Sequence, residues 1–311
     1  METTMIIKIS NILIILIFPF LFTGIINKTK AFWGGRKGAS IFQPYYDFIK
    51  LMRKGEVIST VTSWVFFFFP VISLSSIIFA GLLLPLIDHR AVISFEGSFI
   101  LFAYILALGK FLSIIGAMDT GSSFEGMGAA REAFFTAIPE PAFFIILGSI
   151  SIFGEINSFE NLFGLYHAGS ELSLLIVVLT VIILIIILLV EGSRIPIDDP
   201  NTHLELTMIH EVMVLDNSGP SLAMIQYASA MKMMILSSLI LNFIIPYSPG
   251  PLLHSLYYAA GLVIAACTIG TVEMLTARFR IVRIPDFVFT IVGMALMVMF
   301  IILLYYYGGR R

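Results

Sequence analysis

The sequence predicts an all-α membrane protein of about eight transmembrane helices, with a cytoplasmic interfacial helix and a short acidic helix between spans five and six. Three observations carry that expectation. Of 311 residues, 59% are hydrophobic and only 12% are charged, with a mean hydropathy of +1.00, which soluble domains do not reach. A hydrocarbon layer of roughly 30 Å needs about 20 helical residues to cross it, and eight apolar runs of that order follow one another along the chain. Charged residues gather mainly between those runs. More than half the chain lies in the runs, so no room remains for a soluble catalytic domain, and residues 1–311 are expected to form a single integral membrane domain.

Span one is expected near Ile6 to Asn27. Its amino-terminal side carries only Lys8 against Glu2 and its basic residues follow it, so it is expected to be retained rather than cleaved as a signal peptide. The segment 28–56 then pairs a glycine-rich entry with a helical pattern. In it Tyr45, Phe48, Ile49 and Met52 share a face while Asp47, Lys50, Arg53 and Lys54 fall mainly on the other, as in a helix lying in the membrane interface. Spans two and three are expected at Trp64 to Ile87 and Phe99 to Met118. A polar segment, 119–131, leads into span four, Ala133 to Phe153, and span five runs from Leu172 to Val190.

The next segment, 191–220, "EGSRIPIDDPNTHLELTMIHEVMVLDNSGP", spends six carboxylates and two histidines against the single Arg194. Asp199 before Pro200 is a good helix start, an acceptor at the cap followed by a residue with no N–H to orphan. A short helix is expected from there to about Leu215, with His203, Thr207 and His210 on one side. "LELTMIHEVMVL" is too apolar to lie free in water, so it is expected to pack against other helices or another subunit. Spans six to eight follow at Ser221 to Ile245, Leu252 to Ala277 and Pro285 to Tyr307, with a basic connection at 276–284.

Basic residues near span ends stay on the cytoplasmic side. Connections after spans one, three, five and seven hold twelve Lys and Arg, and the opposite side holds four, Lys8, Arg90, Arg310 and Arg311. Both termini are therefore expected outside, with segments 28–56, 119–131, 191–220 and 276–284 in the cytoplasm.

Five ionisable groups fall where lipid should be. Lys110 sits about halfway along span three, Glu140 between Pro139 and Pro141 in span four, Lys232 near the middle of span six, Glu273 toward the end of span seven, and Glu191 ends span five. An ionised side chain at bilayer depth costs roughly 2.5–3.5 kcal/mol on insertion scales and persists only with a partner or a water-filled cavity. One reading is an ion pair that locks the bundle, Glu140 with Lys110 or Lys232. The other is a hydrated proton path, to which the prolines beside Glu140 contribute freed backbone carbonyls.

Other chemistries are excluded by what is missing. The single Cys267 allows no internal disulfide and no iron–sulfur cluster needing about four thiolates. Val214 stands where a zincin motif starting at His210-Glu211 needs its second histidine, and no paired cysteines follow His203 and Glu205 to complete a deaminase site. A net charge of -2 gives no reason to invoke nucleic acid. A free-standing secondary transporter is a further reading, though neither inverted repeats nor paired broken helices are visible.

"GRKGASIFQPYYDFIKLMRKGE" (35–56), "GAAREAFFTAIPEPA" (128–142), "EGSRIPIDDP" (191–200) and "ARFRIVRIPD" (277–286) stand in the order and spacing of one membrane subunit of NADH:quinone oxidoreductase, complex I, and nearly the whole chain resembles it. "DTGSSFEGMGAARE" and "DPNTHLELTMIHE" are more similar to the branch in formate hydrogenlyase, ferredoxin-linked membrane-bound hydrogenases and sulfane reductases. The resemblance implies an anchoring and coupling subunit in the cell membrane. It implies hydrogenase-like large and small subunits and antiporter-like subunits as partners beside lipid, with nickel-iron or iron-sulfur centres in those partners and no cofactor on this chain. It further implies an acidic intramembrane path, and, with the misplaced charges read above, the relay is expected to run through Asp198, Asp199, Glu205, Glu211 and Asp216 to Glu191, Glu140, Lys110, Lys232 and Glu273. Arg36, Lys37, Gln43, Pro44, Asp47, Lys50, Arg194, Arg278 and Arg280 are the implied docking residues for a redox module. Ala39 and Ser40 replace the usual proline and asparagine of quinone-using members, which favours a hydrogenase-type or sulfur-reducing complex over a quinone-site subunit.

Overall fold

The computed structural model describes residues 2–86, 90–154, 158–159, 171–198, 208–245 and 251–308. Among them every regular element is helical, and eight helical stretches are long and apolar enough to cross a membrane, in line with the expected fold class. In chain order the α-helices are α1 (Glu2–Trp33), α2 (Gln43–Met52), α3 (Trp64–Leu83), α4 (Ser98–Asp119), α5 (Ser123–Thr136), α6 (Pro139–Gly154), α7 (Glu171–Glu191), α8 (Gly219–Ile244), α9 (Pro251–Leu275) and α10 (Ile284–Gly308).

Lipid is as apolar as leucine, so helices in it associate through close packing and internal hydrogen bonds rather than through hydrophobic transfer. The bundle follows that rule. α3 and α4 pack along their length, and a Cβ on Gly109 would stand 2.2 Å from the Ser76 hydroxyl, so a larger residue there would force the two helices apart. Asp119, the last residue of α4, reaches back to the start of α3, where it accepts from the backbone N–H groups of Ser63 (2.7 Å) and Phe66 (3.2 Å). A carboxylate suits the partly positive end of a helix.

α8 is the centre of the bundle and packs against α1, α2, α3, α7 and α9. Buried hydrogen bonds tie it to its neighbours. Tyr227 donates its hydroxyl to the Leu16 carbonyl at 2.5 Å, Asn242 donates to the Pro85 carbonyl at 2.7 Å, and Tyr258 of α9 donates to the Ser238 hydroxyl at 2.6 Å.

Several elements depart from the sequence expectation or add to it. Span one continues as helix to Trp33, past the expected end at Asn27, and this carries Lys30 into the bundle. The segment 119–131 is helical from Ser123 onward. The expected fourth span is broken, with α5 ending at Thr136 and α6 starting at Pro139. Proline there has no N–H to give and its ring crowds the carbonyl four residues back, so one helix cannot run through. The break leaves Glu140 in the first turn of α6.

The acidic helix expected from Asp199 to Leu215 has its first half, including His203 and Thr207, outside the described residues. In the described half only Glu211–Val214 form a 3-10 turn. Asp198 takes the N–H groups of Ile209 (3.1 Å) and His210 (3.0 Å), and Val212 packs closely on Gly128 of α5, so this segment is tied to other elements instead of winding as an α-helix. The interfacial helix α2 exists, but Pro44, Phe48, Ile49 and Leu51 are its half-buried residues, while Tyr45 and Met52 remain exposed.

Candidate functional site

α7 is apolar from Leu172 to Val190 and ends on Glu191, so this carboxylate arrives among packed helices where water is scarce. The helix closes through Gly192, Ser193 and Arg194, whose N–H groups return to the carbonyls of Leu188, Val190 and Leu189 at 2.8, 3.1 and 3.0 Å. Ser193 adopts a left-handed backbone with φ of 51°, the usual way to turn a chain off a helix.

Two ammonium groups meet Glu191. Lys110 of α4 lies 2.6 Å from it and Lys232 of α8 lies 2.5 Å from it. Glu132 of α5 stands 3.8 Å from Lys110. All four side chains are buried, each 14% exposed or less. Among the described residues Glu140 has no ion-pair partner within 4 Å, yet it shares with Glu191 and Lys232 the wall of one cavity. Glu140 does not pair directly with Lys110 or Lys232, as the ion-pair reading required, because the end of α7 puts Glu191 between the two lysines. Three carboxylates thus face two ammonium groups.

A second set of charges lies beside the first. Arg194 donates to Glu273 of α9 at 3.1 Å, and Lys30 pairs with the other oxygen of Glu273 at 2.5 Å. Arg278 donates to Asp198 at 2.8 Å, which leaves the remaining Asp198 oxygen for the two backbone N–H groups of the 3-10 turn. Sequence reading placed Arg194 among the docking residues, whereas its guanidinium is turned inward and 10% exposed.

Three cavities follow these residues. The largest, about 240 Å³, lies under α2 and is bordered by Asp47, Arg194, Asp198, His210 and Glu211, with an aromatic wall of Phe20, Phe48 and Tyr227. The next, about 60 Å³, is bordered by Lys110, Glu132, Glu191, His210 and Lys232. The third, about 30 Å³, is bordered by Glu140, Glu191 and Lys232. A polar cavity of roughly 10–15 Å³ by this measure already admits one water, so the first two have room for water beside charged groups, while the third is walled mainly by apolar side chains around Glu140, Glu191 and Lys232.

Lys110, Glu140, Glu191 and Lys232 are therefore brought together, Asp198 and Glu211 border the largest cavity, and Glu273 lies behind it with Arg194. Asp216 is exposed, borders none of these cavities, and gives its backbone N–H to buried Glu125 at 2.8 Å. Asp199 and Glu205 lie outside the described residues. Of the docking residues, Arg36, Lys37, Gln43, Asp47, Lys50 and Arg280 are exposed, and Pro44 and Arg278 are half-buried. Sequence reasoning left Lys30, Glu132 and His210 out of the site. Glu132 carried a signal, since it interrupts the apolar stretch that leads to Pro139, but Lys30 and His210 are recruited only by tertiary packing. Among the described residues no group of three or more His, Cys, Asp or Glu is placed to hold a metal ion.

Fold and site define a multi-pass helical membrane protein whose ionisable side chains meet beside water-sized cavities at a broken helix. A family model described as NADH dehydrogenase matches residues 7–304, and the chain belongs to that family. It is 28% identical over 239 residues to hydrogenase-4 component C of Escherichia coli K12, covering 77% of this chain and 75% of that protein. It is 25% identical over 271 residues to formate hydrogenlyase subunit 4 of the same organism, covering 84% and 86%. Its fold matches a chain in the structure of a membrane-bound sulfane sulfur reductase, an archaeal respiratory membrane complex, with a TM-score of 0.79, 21% identity, and 96% and 99% of the two chains covered. The resemblance read from the sequence motifs is borne out.

Proposed function

We propose that this chain is the membrane anchor and coupling subunit of a complex I-related respiratory complex of the ferredoxin-linked hydrogenase or sulfane reductase type. Its cytoplasmic segments dock hydrogenase-like large and small subunits, which carry the nickel-iron or iron-sulfur centres. Charge change at that contact shifts protonation at Glu211 and in the cavity that Asp198 borders, and the shift passes through Glu191, Lys110, Lys232 and Glu140 to antiporter-like subunits in the cell membrane. The observation that carries this reading is the succession of three cavities, each bordered by titratable residues and each sharing residues with the next.

The test is Glu140→Gln in the intact complex, assayed in inverted vesicles. Ion transport driven by the redox reaction is expected to fall to background while hydrogen or sulfur turnover by the detached soluble module persists. Unchanged transport in that variant refutes the reading.

A quinone-site role draws on the aromatic wall of the largest cavity. At about 240 Å³ that cavity is smaller than the roughly 300–1,000 Å³ usual for small-molecule sites, and five ionisable residues border it. Both features favour water and protons as its occupants.

A further inference from the structure

The cavity under α2 and the middle cavity adjoin along a shared stretch of wall, and a proton passing from one to the other meets the residues common to both. Those residues are His210, Val214, Ile225 and Ser229. Val214 and Ile225 carry no exchangeable side-chain proton. Ser229 can pass a hydrogen bond but cannot hold a charge near neutral pH. His210 alone among the four carries two ring nitrogens, one able to donate and the other to accept.

Its surroundings fit a transfer role. The backbone N–H of His210 is pinned to Asp198 at 3.0 Å, so the residue is held in place through its main chain and the imidazole is not used as an anchor. The ring nitrogen Nδ1 is buried and has no hydrogen-bond partner among the described residues. A buried polar nitrogen without a protein partner costs free energy unless water or a moving proton satisfies it. Charged groups line both cavities that His210 borders: Asp47, Arg194, Asp198 and Glu211 around the larger, and Lys110, Glu132, Glu191 and Lys232 around the smaller.

We infer that His210 is the proton-transfer residue joining the docking-side cavity to the Glu191–Lys110–Lys232 cluster. The inference rests on the relay function proposed for this chain. One ring nitrogen takes a proton from water or a carboxylic acid in the larger cavity, and the other gives one up to water or a carboxylate in the smaller cavity. The imidazole gains one proton and loses one, and rotation of the side chain restores the starting tautomer.

The experiment measures ion transport and redox turnover together, in vesicles holding the intact complex, for His210→Gln, His210→Ala and Glu140→Gln. Gln keeps a polar side chain of similar reach but cannot titrate, and both substitutions leave the Asp198 contact to the backbone intact. Transport per turnover is expected to fall by about 100-fold in both His210 variants, the scale of a lost acid–base group. Added imidazole is expected to restore transport in His210→Ala, where the vacated ring space adjoins a cavity of about 240 Å³, and to do nothing for Glu140→Gln. Normal transport in His210→Gln, or an assembled His210→Ala complex that imidazole does not rescue, overturns the assignment. If Glu140→Gln loses transport while the His210 variants keep it, the relay stands and this step falls. Normal transport in Glu140→Gln removes the relay itself.

Discussion

Replacing Glu191 by Gln tests whether the buried cluster holds the bundle together. Glu191 sits 2.6 Å from Lys110 and 2.5 Å from Lys232, so at an effective dielectric near 20 each contact contributes about 6 kcal/mol of gross Coulomb attraction. Desolvation of all three groups and repulsion between the two lysines offset most of that. The net effect of removing the shared partner is the cost of leaving buried charge uncompensated, about 3–5 kcal/mol. Among the described residues Glu132, 3.8 Å from Lys110, is the one other carboxylate within 4 Å of either lysine, so Lys232 is the group left most exposed to that cost. Unfolding in mixed micelles titrated with SDS, followed by the fluorescence of Trp33 and Trp64, reads the difference directly. Glu191→Gln is expected to lower the unfolding free energy by about 3–5 kcal/mol, and Glu191→Gln with Lys232→Met to recover part of it, because the second change removes the stranded ammonium group. A loss below about 1 kcal/mol in the single variant, the value of a solvent-screened pair, refutes the argument that this cluster is buried and electrostatically tight.

Three further outcomes follow from individual contacts. Asp198→Asn removes the charge that Arg278 and the N–H groups of Ile209 and His210 share; with charged hydrogen bonds contributing about 1.5–3 kcal/mol, amide exchange across 208–216 is expected to quicken about 10- to 100-fold. Gly128→Val puts a side chain where even a Cβ would stand 2.3 Å from Val212 and 3.0 Å from the Ile209 carbonyl, so it should cost about 1–3 kcal/mol in SDS unfolding and raise protease sensitivity of the 3-10 turn. Tyr258→Phe deletes the 2.6 Å bond to Ser238 and should cost only about 0.6 kcal/mol, with Ser238→Ala adding little on top, since hydrogen bonds between membrane helices average about that value.

The spans were legible because each is a long apolar run and lipid leaves the backbone no alternative to a helix there. So was the set of misplaced charges, since Lys110, Glu140, Glu191 and Lys232 each interrupt or end such a run. Their pairing was not legible. Glu140 looked like the partner of a lysine by its depth in span four, but Pro139 breaks that span and the closing turn of α7 aims Glu191 at both lysines instead. Helix periodicity likewise misjudged the segment before α8, because Asp198 and Gly128 draw the backbone of 208–213 to other elements, and no local pattern in the sequence records those long-range contacts. Lys30 was hidden for the opposite reason: it reads as one of several loop bases until α1 is seen to run on to Trp33.

The two groups of buried charges differ in a way that bears on their roles. Around Glu273 and Asp198 each carboxylate oxygen has a short contact with a fixed donor: Arg194 and Lys30 on one, Arg278 and two backbone N–H groups on the other. Moving a proton onto either would break contacts that tie α1, α7, α9 and the 3-10 turn to one another, so these groups suit a structural task. The inner cluster has three carboxylates for two ammonium groups, and one of the three, Glu140, has no ion-pair contact within 4 Å among the described residues while bordering the third cavity. In a medium of low dielectric an excess of one charge sign is costly. A passive anchor would gain nothing from an unmatched carboxylate at bilayer depth, where each charge costs a few kcal/mol. The mismatch therefore supports the relay reading for the inner cluster and the structural reading for the outer one, within the same chain and a few residues of each other.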